Sequence, residues 1–199
     1  MRSILLYILL AVVRAAPSPS HVDIVPIPGA TVVPQFWDVQ AFLDGPTLIL
    51  NGTVQDIHKQ LLEINPNYDT DFNHTAVATG DLEKRTDFTG SKVICSRAIF
   101  GHLNYGAYKD SLTYLGKHPG RPHMPPGPRA CSRVSCSYNT GVYICNDTPT
   151  DKYLISWGSV VDGLQYIWAK CVAGILVDMQ GGQVFHSTNW NVILRETNC

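Results

Sequence analysis

Four histidines in the second half of the chain, His102, His118, His123 and His186, are the side chains best suited to acid–base chemistry. Arg195 and Glu196 stand after them as a cation and a carboxylate. His102 and His186 as acid and base, with Glu196 beside them and Arg195 as a phosphate clamp, would make a small secreted ribonuclease. Nothing in their spacing selects that arrangement over scattered surface histidines. There is no His-Glu-x-x-His, no Cys-x-x-Cys metal pair and no Gly-x-Ser-x-Gly elbow. Glu196 is the only glutamate after residue 85, which removes a two-glutamate glycosidase and leaves only an aspartate-based one. No cofactor and no metal is expected.

The second chemistry is oxidation and cleavage. Six cysteines, Cys95, Cys131, Cys136, Cys145, Cys171 and Cys199, all come after the dibasic pair Lys84-Arg85. A processing protease cutting there releases Thr86 to Cys199. The chain before the pair divides again. Met1 to Ala15 reads as a signal peptide, with Arg2 as the positive n-region, Ile4 to Val13 as the apolar core and Val13-Arg14-Ala15 as the cleavage site. That apolar run is too short for a membrane span, which needs about 20 residues, and no later stretch is long enough. Residues 16–85 carry nine acids and three bases, whereas 86–199 carry ten bases and seven acids. The three parts are therefore a signal peptide (1–15), an acidic pro-segment (16–85) and a mature cysteine-rich domain (86–199). A small positive balance in the last part gives no reason to expect nucleic acid as a partner. In a secreted domain six cysteines make a framework of up to three disulfides, whose pairing the sequence leaves open among 15 possibilities. Asn51, Asn73 and Asn146 head Asn-x-Thr acceptors for N-glycosylation.

These residues need elements to position them. Residues 16–34 read as extended and poorly ordered, and organisation begins near Phe36-Trp37. Thr47 to Leu50 is a short strand. Thr53 with Asp56 caps a helix to about Ile64, with Val54, Ile57, Leu61 and Ile64 on one face. After Lys84-Arg85, Val93 to Cys95 is a short strand, and a helix runs from about Asn104 to Lys117. The segment from His118 to Pro128 holds five prolines and is a stiff surface loop. Arg121, His123, Met124 and Arg129 on and beside it form the candidate binding surface. Ser132 to Asp147 is a hairpin. With Asn139-Thr140 as its central residues, Cys136 faces Tyr143 and Val134 faces Cys145, all on one face with Tyr138. Ser159 with Asp162 makes a second capping box, with Ser156 as a rival, for a helix to about Cys171. Gln183 to Ser187 and Trp190 to Arg195 form a last hairpin, and a bridge from Cys199 pins its end. The order predicts an α+β fold: a small disulfide-stabilised antiparallel sheet with two helices packed on it.

The layout of leader, acidic pro-segment, Lys84-Arg85 and cysteine-rich domain resembles the small secreted cysteine-rich proteins of filamentous fungi, many of them candidate effectors. The stretches from Asn51 to Asp56, Ile64 to Asp69, Val134 to Tyr138, Ile144 to Asp147 and Gly181 to Ile193 are similar to one uncharacterised group of these with a kexin-type pro-segment. The order of helix, cysteine, hairpin and terminal cysteine is distantly similar to the α/β-sandwich killer toxins of smut fungi. The resemblance implies secretion to the extracellular space and an unknown protein or cell-surface target, and brings no catalytic residue. The reading is a secreted, non-enzymatic effector or toxin-like protein released by dibasic cleavage. A small secreted hydrolase of nuclease type and a cell-wall-associated structural protein are the alternatives.

The framework has a direct test. Intact mass under alkylating conditions should show six added groups after reduction and none before it; any alkylation of the native protein would mean a free thiol.

Overall fold

A computed structural model describes residues 25–72, 86–172 and 179–199. The leader, Asn73 and Lys84-Arg85 lie outside them. The elements in chain order are β1 (Thr31–Val32), β2 (Phe36–Gln40), β3 (Thr47–Asn51), α1 (Val54–Ile64), α2 (Tyr68–Asp71), β4 (Val93–Cys95), α3 (Arg97–Phe100), α4 (Tyr105–Lys117), β5 (His123–Met124), β6 (Ala130–Ser137), β7 (Thr140–Asn146), β8 (Lys152–Tyr153), α5 (Gly158–Cys171), β9 (Gly182–His186) and β10 (Trp190–Glu196). The fold is α+β. Six strands form the main sheet in the order β1-β6-β7-β10-β9-β4, with β2-β3 and β5-β8 as separate pairs. All pairings in the main sheet are antiparallel except β1 on β6.

Strand alternation sorts the core. Val142 and Ile144 of β7 and Val192 and Leu194 of β10 point to one face, where Tyr108 and Leu115 of α4 and Val160, Leu164 and Ile167 of α5 cover them. Tyr143 and Cys145 with Ile193 point to the other face. There Phe100 of α3, together with Ile27 and Ala30, covers them. Helix α5 sits close to the sheet because Gly163 faces it: a Cβ there would lie 2.6 Å from Val192 Cγ2.

The segment before Lys84-Arg85 is built into this core. Trp37, Val39, Val54, Ile57, Leu61 and Tyr68 belong to the same buried cluster as α4 and α5. Trp37 stacks on Trp157 with ring centroids 3.9 Å apart and planes 12° from parallel. Gln55 Nε2 donates to Ser135 Oγ (2.7 Å), and its Oε1 accepts from the Cys136 amide (3.1 Å). β1 adds to the sheet edge, with Thr31 opposite Ala130 and Val32 opposite Cys131. Order therefore starts before Phe36, because the β6 edge offers unpaired backbone groups that residues 31–33 satisfy.

Several expectations need correction. The β6–β7 turn centres on Tyr138-Asn139, both at positive φ (43° and 56°), one residue earlier than expected. The shift moves the register: Cys131 faces Cys145 and Cys136 faces Gly141, with an irregularity at Val134. Tyr138 consequently sits at the exposed turn instead of on a buried face. Ile64 is also exposed, at the end of α1. The three disulfides are Cys95–Cys171, Cys131–Cys145 and Cys136–Cys199, so β4 is tied to α5, β6 to β7, and the C-terminal segment to β6. The capping box at Thr53 and Asp56 is formed as expected. The one at Ser159 and Asp162 is not: α5 begins after Trp157, and neither side chain caps it.

Gly163→Ala tests the packing of α5. Forcing a methyl into the Val192 contact should cost about 1–3 kcal/mol, read as a lower urea midpoint with an unchanged slope; no loss would mean α5 stands off the sheet.

Candidate functional site

Several places on the surface of the described residues combine shape with polar chemistry. The first is a cleft of about 360 Å³ between α1, α2 and α4. His58 projects from α1 because it comes directly after the buried Ile57 on the helix and so turns off the core face. Its Nε2 lies 2.8 Å from Asp69 Oδ1 on α2. An ionised carboxylate only accepts, so Nε2 carries the hydrogen and Nδ1 is left as the basic atom. Tyr114 of α4 lies 5.5 Å from the His58 ring, and Lys117 lines the same cleft. The Tyr68 hydroxyl on the other side is held neutral, its pKa raised by burial first and by Asp69 second. This set offers a base, a cation and an aromatic wall. The expectation weighed only the four histidines after residue 85 and assigned none of them a catalytic role; His58 has no local signal, since its partner lies 11 residues away on a separate four-residue helix.

The second place is the rim made by the prolyl loop. The loop is not free-standing. His123 and Met124 pair as β5 with Tyr153 and Lys152 of β8. Arg121 Nε donates to the Leu154 carbonyl (2.9 Å), and the Leu154 amide donates to the Pro122 carbonyl (3.0 Å). His123 stacks on Tyr153 (centroids 4.5 Å, 18°), and its Nε2 lies 2.6 Å from Asp151 Oδ1. Tyr153 and Ile155 remain 59% and 48% exposed.

The expected binding set of Arg121, His123, Met124 and Arg129 thus separates. Met124 is a core residue at 1% exposure, because the β5–β8 pairing turns it inward; it cannot meet a partner. Arg121 Nε donates to the carbonyl of Leu154, just after β8, and Arg129 Nη1 donates to the Pro28 carbonyl (3.2 Å). Arg121 and Arg129 stay exposed with those bonds made, His123 is half-buried at the surface, and Asp151, Tyr153 and Ile155 are exposed with them.

The nuclease set is divided: His102 and Glu196 line one open hollow of about 460 Å³, and His186 lies away from it. His186 pairs with Trp190 at one end of β10, and Glu196 is at the other. Six residues of strand put them about 20 Å apart. Glu196 accepts from the backbone amide of His102 (3.0 Å), and Arg195 Nη1 donates to the carbonyls of Val25 and Pro26. The His186 ring is pushed below its ordinary pKa, first by burial and then by Lys152. His118 lies edge-on to Trp37 (4.7 Å). Among the described residues no group of three or more His, Cys, Asp or Glu could hold a metal ion, and no helix is long and apolar enough to cross a membrane.

The glycosylation acceptors also differ. Asn51 is exposed at the end of β3. Asn146 is fully buried: Nδ2 donates to the carbonyls of Pro125 and Thr150 (2.9 and 2.7 Å), and Oδ1 accepts from the amide and hydroxyl of Thr148. A glycan on it is incompatible with this fold.

Comparison with protein families, curated proteins and solved structures finds no match to the chain.

Asn146 gives the test of this geometry. The glycosylated protein should carry sugar at Asn51 and none at Asn146, by peptide mass mapping. Asn146→Ala, which strips two carbonyls of their donor, should cost about 1–3 kcal/mol of stability.

Proposed function

We propose that this is a secreted, non-enzymatic protein of effector or toxin type that binds a protein or cell-surface component through the rim formed by His123, Asp151, Tyr153 and Ile155. The observation that carries the reading is the exposure of Tyr153 and Ile155 on a segment already fixed by strand pairing, ring stacking and the Arg121 bond. An exposed aromatic normally loses freedom when it is captured; here the loss has already been taken in folding, so binding costs little entropy. Aromatic anchors of this kind dominate binding energies when a partner covers them. The leader, the dibasic site and the likeness to fungal secreted proteins support an extracellular setting, as do three disulfides, which persist in oxidising compartments.

A second reading, a small secreted hydrolase, is favoured by one observation: the His58–Asp69 pair opening on the cleft beside Lys117 and Tyr114. In it Nδ1 of His58 takes a proton from an attacking water or hydroxyl, Asp69 steadies the imidazolium, and Lys117 meets an anionic substrate group.

The two readings separate in one comparison. Tyr153→Ala with Ile155→Ser should weaken binding of labelled protein to responsive cells by about tenfold or more, the loss expected of anchor residues, with an unchanged melting temperature. His58→Gln should leave that binding intact. Binding that survives the rim pair, together with turnover of RNA, glycan or ester substrates that disappears in His58→Gln, would transfer the function to the cleft.

A further inference from the structure

The backbone nitrogen of Thr86 lies 2.7 Å from Asp162 Oδ2, and Thr86 Oγ1 lies 2.8 Å from Ser159 Oγ. Ser159 and Asp162 have the spacing of a capping box, yet they leave the start of α5 uncapped and turn sideways onto Thr86. Thr86 is the residue directly after Lys84-Arg85. Two residues on, Phe88 is buried and meets His186 and Trp190 edge-on at 5.2 and 5.6 Å. The Ser91 amide bonds to the Phe88 carbonyl, closing a turn. The position of Thr86 is therefore fixed from its C-terminal side. Beside it an open hollow of about 390 Å³, bordered by Asp162, Gln165 and Tyr166, leaves room around the nitrogen.

We propose that Asp162 and Ser159 form a receptor for a newly released amino terminus: cleavage of the Arg85–Thr86 bond places the α-ammonium of Thr86 in an ion pair with Asp162. In the cut, which a dibasic-specific endoprotease supplies in trans, water gives its hydroxyl to the Arg85 carbonyl carbon. The C–N bond breaks, the other hydrogen of the water goes to the Thr86 nitrogen, and a solvent proton completes the ammonium. One amide donor becomes three donors and a positive charge, on a carboxylate already in hydrogen-bond contact. Charge-assisted bonds of this type are about twice as strong as neutral ones. Asp162 of α5 meets the new terminus and favours it; Asp87, the next residue, borders the same hollow with its carboxylate accepting from the Thr89 amide, and His186 of β9 acts on Asp87. The positive end of the α5 dipole opposes the new terminus, and Asp162, a turn further on, offsets that. The receptor would work in the same way whichever surface binds a partner.

The test is a four-way comparison of full-length protein. The uncut form carries Lys84→Ala and Arg85→Ala; the cut form is the natural sequence treated with a dibasic-specific protease. Each is made with Asp162 and with Asp162→Asn. Asparagine keeps an oxygen to accept from an amide but has no charge to pair with an ammonium. At pH 7, Asp162→Asn should lower the melting temperature of the cut form by about 2–4 °C more than that of the uncut form, the shift expected for roughly 1 kcal/mol in a protein of this size. Competitive acetylation of Thr86 against pH should place its amine about one pH unit above the ordinary α-amine value of about 8. A raised value means that the extra stability is present at lower pH and is lost as pH rises through it. Equal losses in the cut and uncut forms, or an amine that titrates at its ordinary value, would overturn the proposal. If Asp162→Asn does not fold, the acetylation profile of the cut natural protein decides alone.

Discussion

Strand β7 is buried at every position from Thr140 to Asn146, and the rest of the molecule answers that fact. A strand with one wet face needs one covering layer; a strand with none needs two. Helices α4 and α5 provide one layer. The other comes from α3 and from Ile27 and Ala30 of the N-terminal segment. The first layer is itself incomplete without Trp37, Ile57 and Leu61. The segment of residues 25–72 is thus used on both sides of the sheet. It is acidic and free of cysteine, and this composition sets it apart from the rest, but its apolar residues share one core with those of residues 86–199.

Covalent and non-covalent ties are divided unequally. All three disulfides lie within residues 95–199, and none reaches the N-terminal segment. That segment is held by ring stacking, by the Gln55 bonds to Ser135 and Cys136, by two rungs of parallel ladder and by arginine bonds to the carbonyls of Val25, Pro26 and Pro28. Oxidation locks the second part of the chain; apart from the peptide chain itself, non-covalent contacts hold the first.

What the sequence made legible was local. The Thr53–Asp56 box, the α4 span and the closing hairpin each depend on neighbours within a few residues, and each lies close to where pattern placed it. The misses depend on distant partners. An Asn-x-Thr triplet reads the same buried or exposed, so Asn146 gave no sign of its four internal bonds. Asn139-Thr140 looked like the turn; centring it one residue earlier, on Tyr138-Asn139, moves the partner of Cys136 by two residues, from Tyr143 to Gly141, and keeps its face, whereas the irregularity between Arg133 and Ser135 carries Val134 to the opposite face beside Val142 and Ile144. Ser159 and Asp162 matched a cap in spacing, but Thr86, over 70 residues earlier, took both side chains. The rim was half visible: prolines announced a stiff loop, while Tyr153 and Ile155 belong to the segment that pairs with it and carry no motif.

The two ends of the main sheet are its shortest strands, β1 with two residues and β4 with three, while the long strands β6, β7 and β10 lie inside. A growing cross-β stack needs a long row of open backbone donors and acceptors on which to lay the next chain. Along β4 such a row is about 10 Å long; on the other side β1 covers only Ala130 and Cys131 of β6, and further along that strand the Gln55 side chain takes the Cys136 amide. A second chain crowded against the β4 side finds little ladder to extend, and on the β6 side it is residues 31–33 and Gln55 that blunt the edge.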